Sequence, residues 1–282
     1  MWSNRIAVIA TKHKKEQVIA PILEREFRMT CIIPTQFDTD QFGTFTREMP
    51  RAGSQLEAAR QKAEQVLDLT QETLAIASEG AFGPHPAIPF LPCDRELILL
   101  CDRQNQLELV AYELSTETNY GQQTVTTLHE ALEFAKRVGF PDHALVVRAN
   151  PNAHQPGEIY KGIQNEDRLV QTVTAILDTS STRTAYLETD MRAMYNPSRM
   201  KVIERAVLGL VKKMNQRCPT CQHPGFDVIK QLPGLPCAMC NTPTPLTLTD
   251  IYQCQSCQFE RAVKFPTRHQ FADPTYCRYC NP

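Results

Sequence analysis

Four Cys-x-x-Cys pairs constrain the last quarter of the chain more than any other feature of the sequence. The pairs are separated by 15, 13 and 19 residues and are Cys218/Cys221, Cys237/Cys240, Cys254/Cys257 and Cys277/Cys280. Zinc takes four thiolates in a tetrahedron, and a Cys-x-x-Cys turn presents two sulfurs to one ion. We therefore predict that residues 217–282 fold around two zinc ions, each held by four cysteines.

Spacing also suggests which pairs share an ion. Gaps of 15 and 19 residues match the usual separation within a four-cysteine ribbon, which favours joining the first pair with the second and the third with the fourth. An interleaved order is the alternative, and spacing does not exclude it. Both orders fill every coordination position with protein sulfur, so we expect structural zinc.

Composition gives few clues to partners. The chain has 282 residues, 42% of them hydrophobic, with 30 basic and 31 acidic side chains. That length suits one large or two ordinary domains, and the charge balance creates no field that recruits nucleic acid or an anionic membrane. The N-terminus lacks a signal-peptide pattern, and no stretch approaches the roughly 18 apolar residues of a membrane-spanning helix. We expect a cytoplasmic protein.

The cysteine-rich segment is not predicted to bind nucleic acid. Six Lys/Arg against four acids follow Gln216, but each zinc with four thiolates carries a formal charge of minus two, which reverses the excess. Its aromatic side chains, which could stack on bases, are expected to fill two small cores instead. A protein partner is the interaction that we expect of the zinc ribbons.

The first part of the chain alternates strand-like and helix-like segments. Residues 5–11 and 74–77 read as apolar strands, and residues 54–69 read as a helix with apolar residues on one face. Ser54 and Glu57 form a capping box at the start of that helix.

Further signals continue this pattern. Residues 96–101 and 107–114 predict a hairpin, Thr127 and Glu130 a second capping box, and Asn196-Pro197 the start of a helix ending near residue 214. The sequence thus predicts a mixed-sheet α/β domain over residues 1–214 and a small double zinc ribbon over residues 215–282.

A polar turn follows the first strand and contains Thr11, Lys12, His13 and Lys15. A strand that ends where a helix begins is where α/β proteins bind anions, through backbone N–H groups and the helix dipole. We take these four residues as candidate phosphate ligands. The alternative is a solvated basic turn.

Glu79 lies in a second unusual stretch, residues 78–86, where two glycines and two prolines follow a strand. A glutamate at the end of a strand can hold a metal or act as a base. The alternative is a tight turn in which Glu79 only accepts hydrogen bonds from N–H groups.

Acidic and basic residues alternate in a third stretch. If residues 184–191 form a strand that continues past Asp190, then Glu188, Asp190 and Arg192 share one face. Two carboxylates on one face suit magnesium with phosphate oxygens, and Arg192 and Arg199 can grip phosphate. The alternative is an exposed edge strand with compensating charges.

These stretches resemble a bacterial family of proteins of unknown function. The resemblance covers most of the chain and rests on Ala10-Thr11 with His13 and Lys15-Glu16, on Ser78-Glu79-Gly80 with Phe82-Gly83-Pro84-His85-Pro86, on Glu188-x-Asp190-Met191-Arg192-Ala193 with Asn196-Pro197-x-Arg199-Met200, and on the paired ribbons. This resemblance supports the division of the chain into an α/β domain and zinc ribbons, and it implies no chemical activity.

The first half more distantly resembles the inosine/xanthosine triphosphate pyrophosphatase superfamily, which includes the Maf-like proteins. The similar segments are Thr11-x-His13, the helix Glu57-Ala58-Ala59-Arg60-Gln61-Lys62-Ala63 and the turn Glu79-Gly80. This sequence departs from the family because His13 replaces an asparagine, Glu16 replaces a lysine, and paired aspartates reduce to Glu79. The resemblance implies enzymes that use carboxylates and magnesium to release pyrophosphate from nucleoside triphosphates.

The expected function is therefore a metal-dependent hydrolase of a nucleotide or another phosphorylated small molecule. Glu79, Glu188 and Asp190 would bind magnesium or activate water, and the phosphate ligands would be Thr11, Lys12, His13, Lys15, Arg192 and Arg199. The alternative is a non-catalytic nucleotide-binding or protein-interaction module with a structural zinc-ribbon adaptor.

Overall fold

The computed structural model describes residues 1–35, 37, 53–153, 155 and 157–282. The chain forms two compact units, Met1–Leu210 and Val211–Pro282. The division falls inside the last helix, α5 (Pro197–Asn215), a few residues before the sequence-based boundary at 214.

A five-stranded mixed sheet forms the first half of the larger unit. Its strands, in chain order, are β1 (Ile6–Ala10), β2 (Thr30–Ile32), β3 (Leu74–Pro84), β4 (Pro92–Asp102) and β5 (Leu107–Ser115). Their spatial order is β2-β1-β3-β4-β5, with β1 parallel to β2 and β3, and the remaining neighbours antiparallel. The expected mixed sheet and the hairpin of β4 with β5 are confirmed.

The order of the first three strands creates a topological switch point. From β1 the chain passes through helix α1 (Glu16–Phe27) to β2 on one side. It then passes through helix α2 (Gln55–Thr70) to β3 on the other side of β1. Ligands of open α/β sheets bind outside the carboxyl ends of strands at such a point. Here the carboxyl end of β1 follows Ala10, which pairs with Ala77 inside β3.

Strand β3 is longer than the sequence suggested. It continues to Pro84 and pairs with β4 along its whole length, from Leu74 opposite Asp102 to Pro84 opposite Pro92. The prediction that residues 78–86 follow the strand is therefore wrong for residues 78–84, and so is the alternative of a tight turn there. Cross-strand pairing with β4 outweighs the local preference of the glycines for turns. Glu79 consequently lies within a strand.

The two faces of this sheet carry different helices. Helix α2 covers one face, where its apolar side packs on the strands in a core that includes Ala63, Val66, Leu67, Ala75, Leu97 and Leu99. Helix α5 crosses the other face, where Arg199 bonds Glu96 and Arg205 bonds Glu113. Alternate residues of β3 and β4 thus meet α2 or α5.

The predicted capping box of α2 is confirmed, and the second predicted capping box forms only in part. Ser54 Oγ accepts from the N–H of Glu57, and the Glu57 carboxylate accepts from the N–H of Ser54, which completes the capping box of α2. Thr127 caps helix α3 (Leu128–Arg137) in the same way, but the Glu130 carboxylate accepts from the N–H of Thr126.

A second, antiparallel sheet completes the larger unit. Its order is β6-β9-β7-β8, made by β6 (Gln122–Val125), β7 (Leu145–Arg148), β8 (Ile159–Ile163) and β9 (Ala185–Thr189). Helices α3 and α4 (Glu166–Thr179) pack on it through Phe134, Leu169 and Val173. The local sequence pattern does not separate this sheet from the first. Strand β9 ends at Thr189, so the prediction that Glu188, Asp190 and Arg192 share the face of one strand is wrong.

The smaller unit contains a three-stranded antiparallel meander. Its strands are β10 (Asp227–Pro233), β11 (Thr247–Gln253) and β12 (Glu260–Lys264), in that spatial order. Each strand is preceded by one Cys-x-x-Cys pair, and the fourth pair follows β12. Among the described residues of the whole chain, no helix is long and apolar enough to cross a membrane.

Candidate functional site

The eight clustered cysteines form two quartets, and their order is interleaved. The first and third pairs make one quartet and the second and fourth make the other: Cys218, Cys221, Cys254 and Cys257, then Cys237, Cys240, Cys277 and Cys280. The favoured prediction, first pair with second and third with fourth, is wrong.

The meander explains the interleaving. Strand β10 carries the chain from one end of the sheet to the other, β11 returns it, and β12 carries it across again. A seven-residue strand spans roughly 23 Å at about 3.3 Å per residue, far more than one ion can bridge. Pairs separated by one strand therefore lie at opposite ends, and pairs separated by two strands meet.

The quartets have the dimensions of tetrahedral zinc sites. Sγ–Sγ distances are 3.7 Å for Cys218–Cys257 and 3.5 Å for Cys221–Cys254. In the other quartet they are 3.9 Å for Cys237–Cys280 and 3.6 Å for Cys240–Cys277. Four sulfurs about 2.3 Å from a central zinc lie about 3.8 Å apart in a tetrahedron. Each quartet can therefore hold a zinc ion and leaves no position for a substrate.

Aromatic side chains surround the two quartets differently. At the first, Phe226 is buried against Cys218 and Cys254 and contacts the rings of Tyr252 and Phe259, as expected for a small core. At the second, Met239, Phe271, Tyr276 and Tyr279 are exposed, so the expected second aromatic core is not formed by these side chains.

A separate group of charged residues lies at the switch point of the first sheet. We call it the switch-point cluster, and its members are Lys15, Lys62, Glu79, Asp94, Glu96 and Arg199. Every one of them is less than 9% exposed. Buried charges require partners, because desolvation disfavours the charged form.

Lys15 lies directly before α1, beyond the carboxyl end of β1. Its Nζ donates to Ser78 Oγ at 2.9 Å and to the Ser78 carbonyl at 3.4 Å. Burial, followed by the neighbouring Arg199 guanidinium, lowers the pKa of Lys15 from 10.5 to about 7, although Glu96 and Glu79 act in the opposite direction. A lysine with this pKa is partly neutral at physiological pH. Its charged form can bind an anion, and its neutral form can accept a proton.

Glu79 is paired with Lys62 on the face covered by α2. Both side chains are at least nine-tenths buried, and Gln55 donates to the backbone carbonyl of Glu79 at 3.2 Å. The glutamate is thus held between β3 and α2, with Lys15 at the end of the neighbouring strand.

Glu96 and Arg199 form a fully buried ion pair on the opposite face, with Nε 2.6 Å from Oε1. Arg199 also donates from Nη1 to the Met191 carbonyl at 2.5 Å, and its guanidinium lies 5.1 Å from the centre of the Phe82 ring. Arg199 therefore links α5 and β4 to the segment that follows β9.

Gly80 leaves room for this ion pair because it has no side chain and lies directly opposite Glu96. A Cβ at position 80 would overlap Arg199 Nη2 and Glu96 Oε1. We expect Gly80→Ala to lower the free energy of unfolding by about 1–3 kcal/mol through overpacking, measured by chemical denaturation. The control is Gly83→Ala on the same strand, where a Cβ meets nothing within 4 Å. Equal effects of the two substitutions would contradict this explanation.

Asp94 completes the cluster two residues before Glu96 and opposite Phe82. Burial, followed by the neighbouring Glu96 charge, raises the pKa of Asp94 to about 8.

Only some of the predicted site residues meet here. Lys15, Glu79 and Arg199 belong to the cluster. In the same turn as Lys15, Thr11 is buried, Lys12 is exposed and His13 is half-buried. These three residues are near the switch point in sequence, and the phosphate-binding role expected of them stays a prediction.

The two other predicted acids have basic partners of their own in the second half of the unit. Glu188 accepts from Arg148 Nε at 2.9 Å. Asp190 accepts from Arg192 at both oxygens, at 3.0 and 2.6 Å, and from the Gly162 N–H at 3.0 Å. Arg192, expected to bind phosphate, is thus paired with Asp190.

These acids do not form a magnesium site. Glu79, Glu188 and Asp190 are each paired with a different basic side chain. Within the described residues, the cysteine quartets are the groups in which three or more potential ligand atoms lie within 4.8 Å of one another. A resident magnesium ion held by the predicted acids does not fit this arrangement.

Three members of the switch-point cluster were not predicted from the sequence: Lys62, Asp94 and Glu96. Lys62 interrupts the apolar face of α2, with Ala59, Ala63 and Val66 around it. Asp94 and Glu96 alternate with Arg95 and Leu97 at the start of a buried strand. A charged residue on an otherwise apolar face is the signal that could have identified them.

One comparison identifies relatives of this chain. The family described as "Domain of unknown function (DUF6671)" matches residues 62–282, which include the second half of the first sheet, the whole second sheet and both cysteine quartets. No curated protein and no solved structure matches the chain. Because this match covers well over half of the sequence, the chain belongs to the DUF6671 family.

Proposed function

We propose that this protein hydrolyses a nucleotide or another phosphorylated small molecule at the switch-point cluster. The observation that carries the proposal is the position of Lys15, a buried lysine at the carboxyl end of β1 and the start of α1. The N-terminus of a helix and the switch point of an α/β sheet both favour a bound anion. The ammonium group of Lys15 adds a positive charge at this position, which favours a bound anion further.

The surrounding charges suit phosphate chemistry. Lys15 in its charged form would bind phosphate oxygens, and a bound phosphate would favour that form. Arg199 is close enough to lower the pKa of Lys15, but Glu96 balances its charge within the buried ion pair. The carboxylate of Glu79, which is paired with Lys62, is the general base that would accept a proton from the attacking water. The water would bond to phosphorus while the bond from phosphorus to the leaving oxygen breaks.

In this proposal, magnesium binds to the protein together with the substrate. Mg²⁺ keeps several waters and is commonly held by substrate phosphates with one or two carboxylates, so a nucleotide–magnesium complex is the expected substrate form. The choice of a nucleotide rests on the resemblance of residues 11–13, 57–63 and 79–80 to the inosine/xanthosine triphosphate pyrophosphatases.

A hydrolysis screen tests the proposal. Purified zinc-loaded protein is incubated with a panel of nucleotides and magnesium, and released phosphate and pyrophosphate are measured. We expect turnover of at least one nucleotide and a loss of about 100-fold in kcat/KM for Lys15→Met, the size typical of removing one charge-stabilising group. Met keeps most of the length of the lysine side chain and removes only its buried ammonium group, so this variant should fold.

The matched control is Lys14→Met, because Lys14 is the exposed neighbour of Lys15. It should keep wild-type activity, and chelation of magnesium should abolish turnover. The proposal of a nucleotide substrate is wrong if no nucleotide is hydrolysed, and the proposed role of Lys15 is wrong if Lys15→Met is as active as the wild type.

A non-catalytic module is the second candidate function. It is favoured by the mutual pairing of buried charges in the cluster, such as Lys62 with Glu79 and Glu96 with Arg199, which also suits a purely structural network. The exposed side chains of Met239, Phe271 and Tyr279 beside the second quartet favour a protein partner for the zinc-binding unit.

A cytoplasmic setting is part of the proposal. Eight cysteine thiols are grouped in two quartets that could hold zinc, and Cys31, Cys93 and Cys101 are not in disulfides. Unpaired thiols are typical of reducing compartments.

A further inference from the structure

Two acids of the switch-point cluster lie side by side in the interior. Asp94 and Glu96 are two residues apart on β4, so their side chains point to the same face of the sheet. Each is only 1% exposed, and the two carboxyl groups lie within hydrogen-bonding reach of each other. Two ionised carboxylates in such contact would repel each other strongly.

Three of the four carboxylate oxygens of this pair lack a hydrogen-bond donor among the described residues. Glu96 Oε1 accepts from Arg199. Glu96 Oε2 and both oxygens of Asp94 are buried and accept no hydrogen bond from the part of the chain that the structure describes. A buried carboxylate oxygen without a hydrogen-bond donor destabilises the folded state. A single proton on Asp94 would supply a donor for Glu96 Oε2 and so satisfy two of these three oxygens.

We propose that Asp94 is a neutral carboxylic acid at physiological pH and that it donates a hydrogen bond to Glu96 Oε2. One proton then satisfies an oxygen on each residue and leaves one negative charge, on Glu96, to face Arg199. Asp94 is thus a positioning residue that acts through Glu96. This inference goes beyond hydrolysis and holds whether or not the protein is an enzyme.

The charged groups around Asp94 agree with this state. Lys15 and Arg199 lower its pKa, but burial and Glu96 raise it by more, to about 8. On β5, Ser115 lies opposite Asp94 and Glu113 opposite Glu96.

Arg205 of α5 approaches from the same side. It is bonded to Glu113 and Ser115, both at 2.9 Å, and lies 3.6 Å from Glu117. The charge of this arginine is therefore largely balanced by Glu113 and does not require an ionised Asp94.

The sign of the pH effect follows from the direction of the shift. The pKa of Asp94 rises from 3.8 to about 8 on folding, so the folded protein holds a proton that the unfolded chain loses between those values. Stability contributed by this group is complete below pH 4, falls as the pH rises towards 8, and is constant above that.

Asp102 at the other end of β4 is a matched control, because it is also 1% exposed. Burial alone would raise its pKa, but hydrogen bonds from Arg5 and Asn105 outweigh burial and hold the pKa of Asp102 below its usual value of 3.8. The two aspartates therefore share a strand and a degree of burial but differ in their donors.

The test is an NMR titration of the full-length protein labelled with ¹³C at aspartate carboxyl carbons. Asp94→Asn and Asp102→Asn assign the two resonances. We expect Asp94 to titrate near pH 8 and Asp102 to titrate below pH 4. The wild-type spectrum alone already decides whether any aspartate titrates near pH 8, so the test does not depend on a variant that folds. If every aspartate titrates below pH 5, the proposal is overturned.

The same variants give a second readout in thermal denaturation from pH 4 to 9. Asparagine is neutral and can still donate to Glu96, so Asp94→Asn should keep the wild-type Tm near pH 5. Its Tm should decrease less than that of the wild type between pH 4 and 8. Asp102→Asn should lower the Tm at neutral pH and should show the same decrease in Tm between pH 4 and 8 as the wild type. An Asp94→Asn variant that keeps the wild-type pH profile would also overturn the proposal.

Discussion

Cys218→Ser combined with Cys254→Ser should remove one zinc ion per chain, whereas Cys218→Ser combined with Cys237→Ser should remove both. The first two residues belong to one quartet, and Cys237 belongs to the other. Native mass spectrometry counts the ions directly. Consecutive pairing of the Cys-x-x-Cys motifs predicts the reverse result, so this comparison decides between the two orders.

Loss of an ion should also unfold part of the zinc-binding unit. Structural zinc contributes an apparent free energy of about 10–16 kcal/mol, more than the whole stability of an ordinary domain. We expect the variant without both ions to lose the amide protection of the β10-β11-β12 sheet in hydrogen exchange. The control is Cys31→Ser, because Cys31 lies in β2 and outside both quartets. It should keep two ions and a protected sheet.

Arg199→Met should lower the free energy of unfolding by about 3–5 kcal/mol, because it leaves Glu96 charged and buried without its cation. Both side chains of this pair are 0% exposed, so water cannot replace the missing partner. The double variant Arg199→Met with Glu96→Leu removes both charges and should recover most of the loss. Chemical denaturation at pH 7 measures both variants.

The surface pair of Arg60 and Glu108 provides the control. It has the same 2.6 Å separation, but its side chains are 49% and 34% exposed. Arg60→Met should therefore change stability by no more than about 1 kcal/mol. If Arg60→Met and Arg199→Met have similar effects, the buried pair is not what holds α5 against β4.

Local signals in the sequence predicted much of this fold. Capping by Ser54 and Asn196 depends on neighbouring residues, and both caps form where the sequence places them. The hairpin of β4 and β5 is also local, because a short turn joins two apolar runs. Such features can be predicted because all of the interacting groups are close in sequence.

Nonlocal pairing limited the other predictions. The glycines and prolines of residues 78–86 suggested a turn, but pairing with β4 keeps residues 78–84 extended. The interleaved quartets depend on strands between the Cys-x-x-Cys pairs, which gap length alone does not reveal. Counting strands between pairs would have predicted the order.

The switch-point cluster shows the same limit at the level of side chains. Lys15, Glu79 and Arg199 were identified because each lies in an unusual polar stretch. Glu188 and Asp190 looked equivalent to Glu79, but Arg148 and Arg192 pair with them. Which acid meets which base is decided by strand order and register, and these depend on the whole fold.

Binding of a phosphorylated ligand at Lys15 is best tested by thermal-shift measurements on the wild type and on Lys15→Met, with a nucleotide panel and magnesium. Ligand at about 100 times its Kd stabilises a protein by about 2.7 kcal/mol, which is a readily measured rise in Tm. We predict that at least one nucleotide raises the Tm of the wild type and that this rise is lost in Lys15→Met. No shift with any nucleotide, or an equal shift in both proteins, would contradict a ligand site at the switch point.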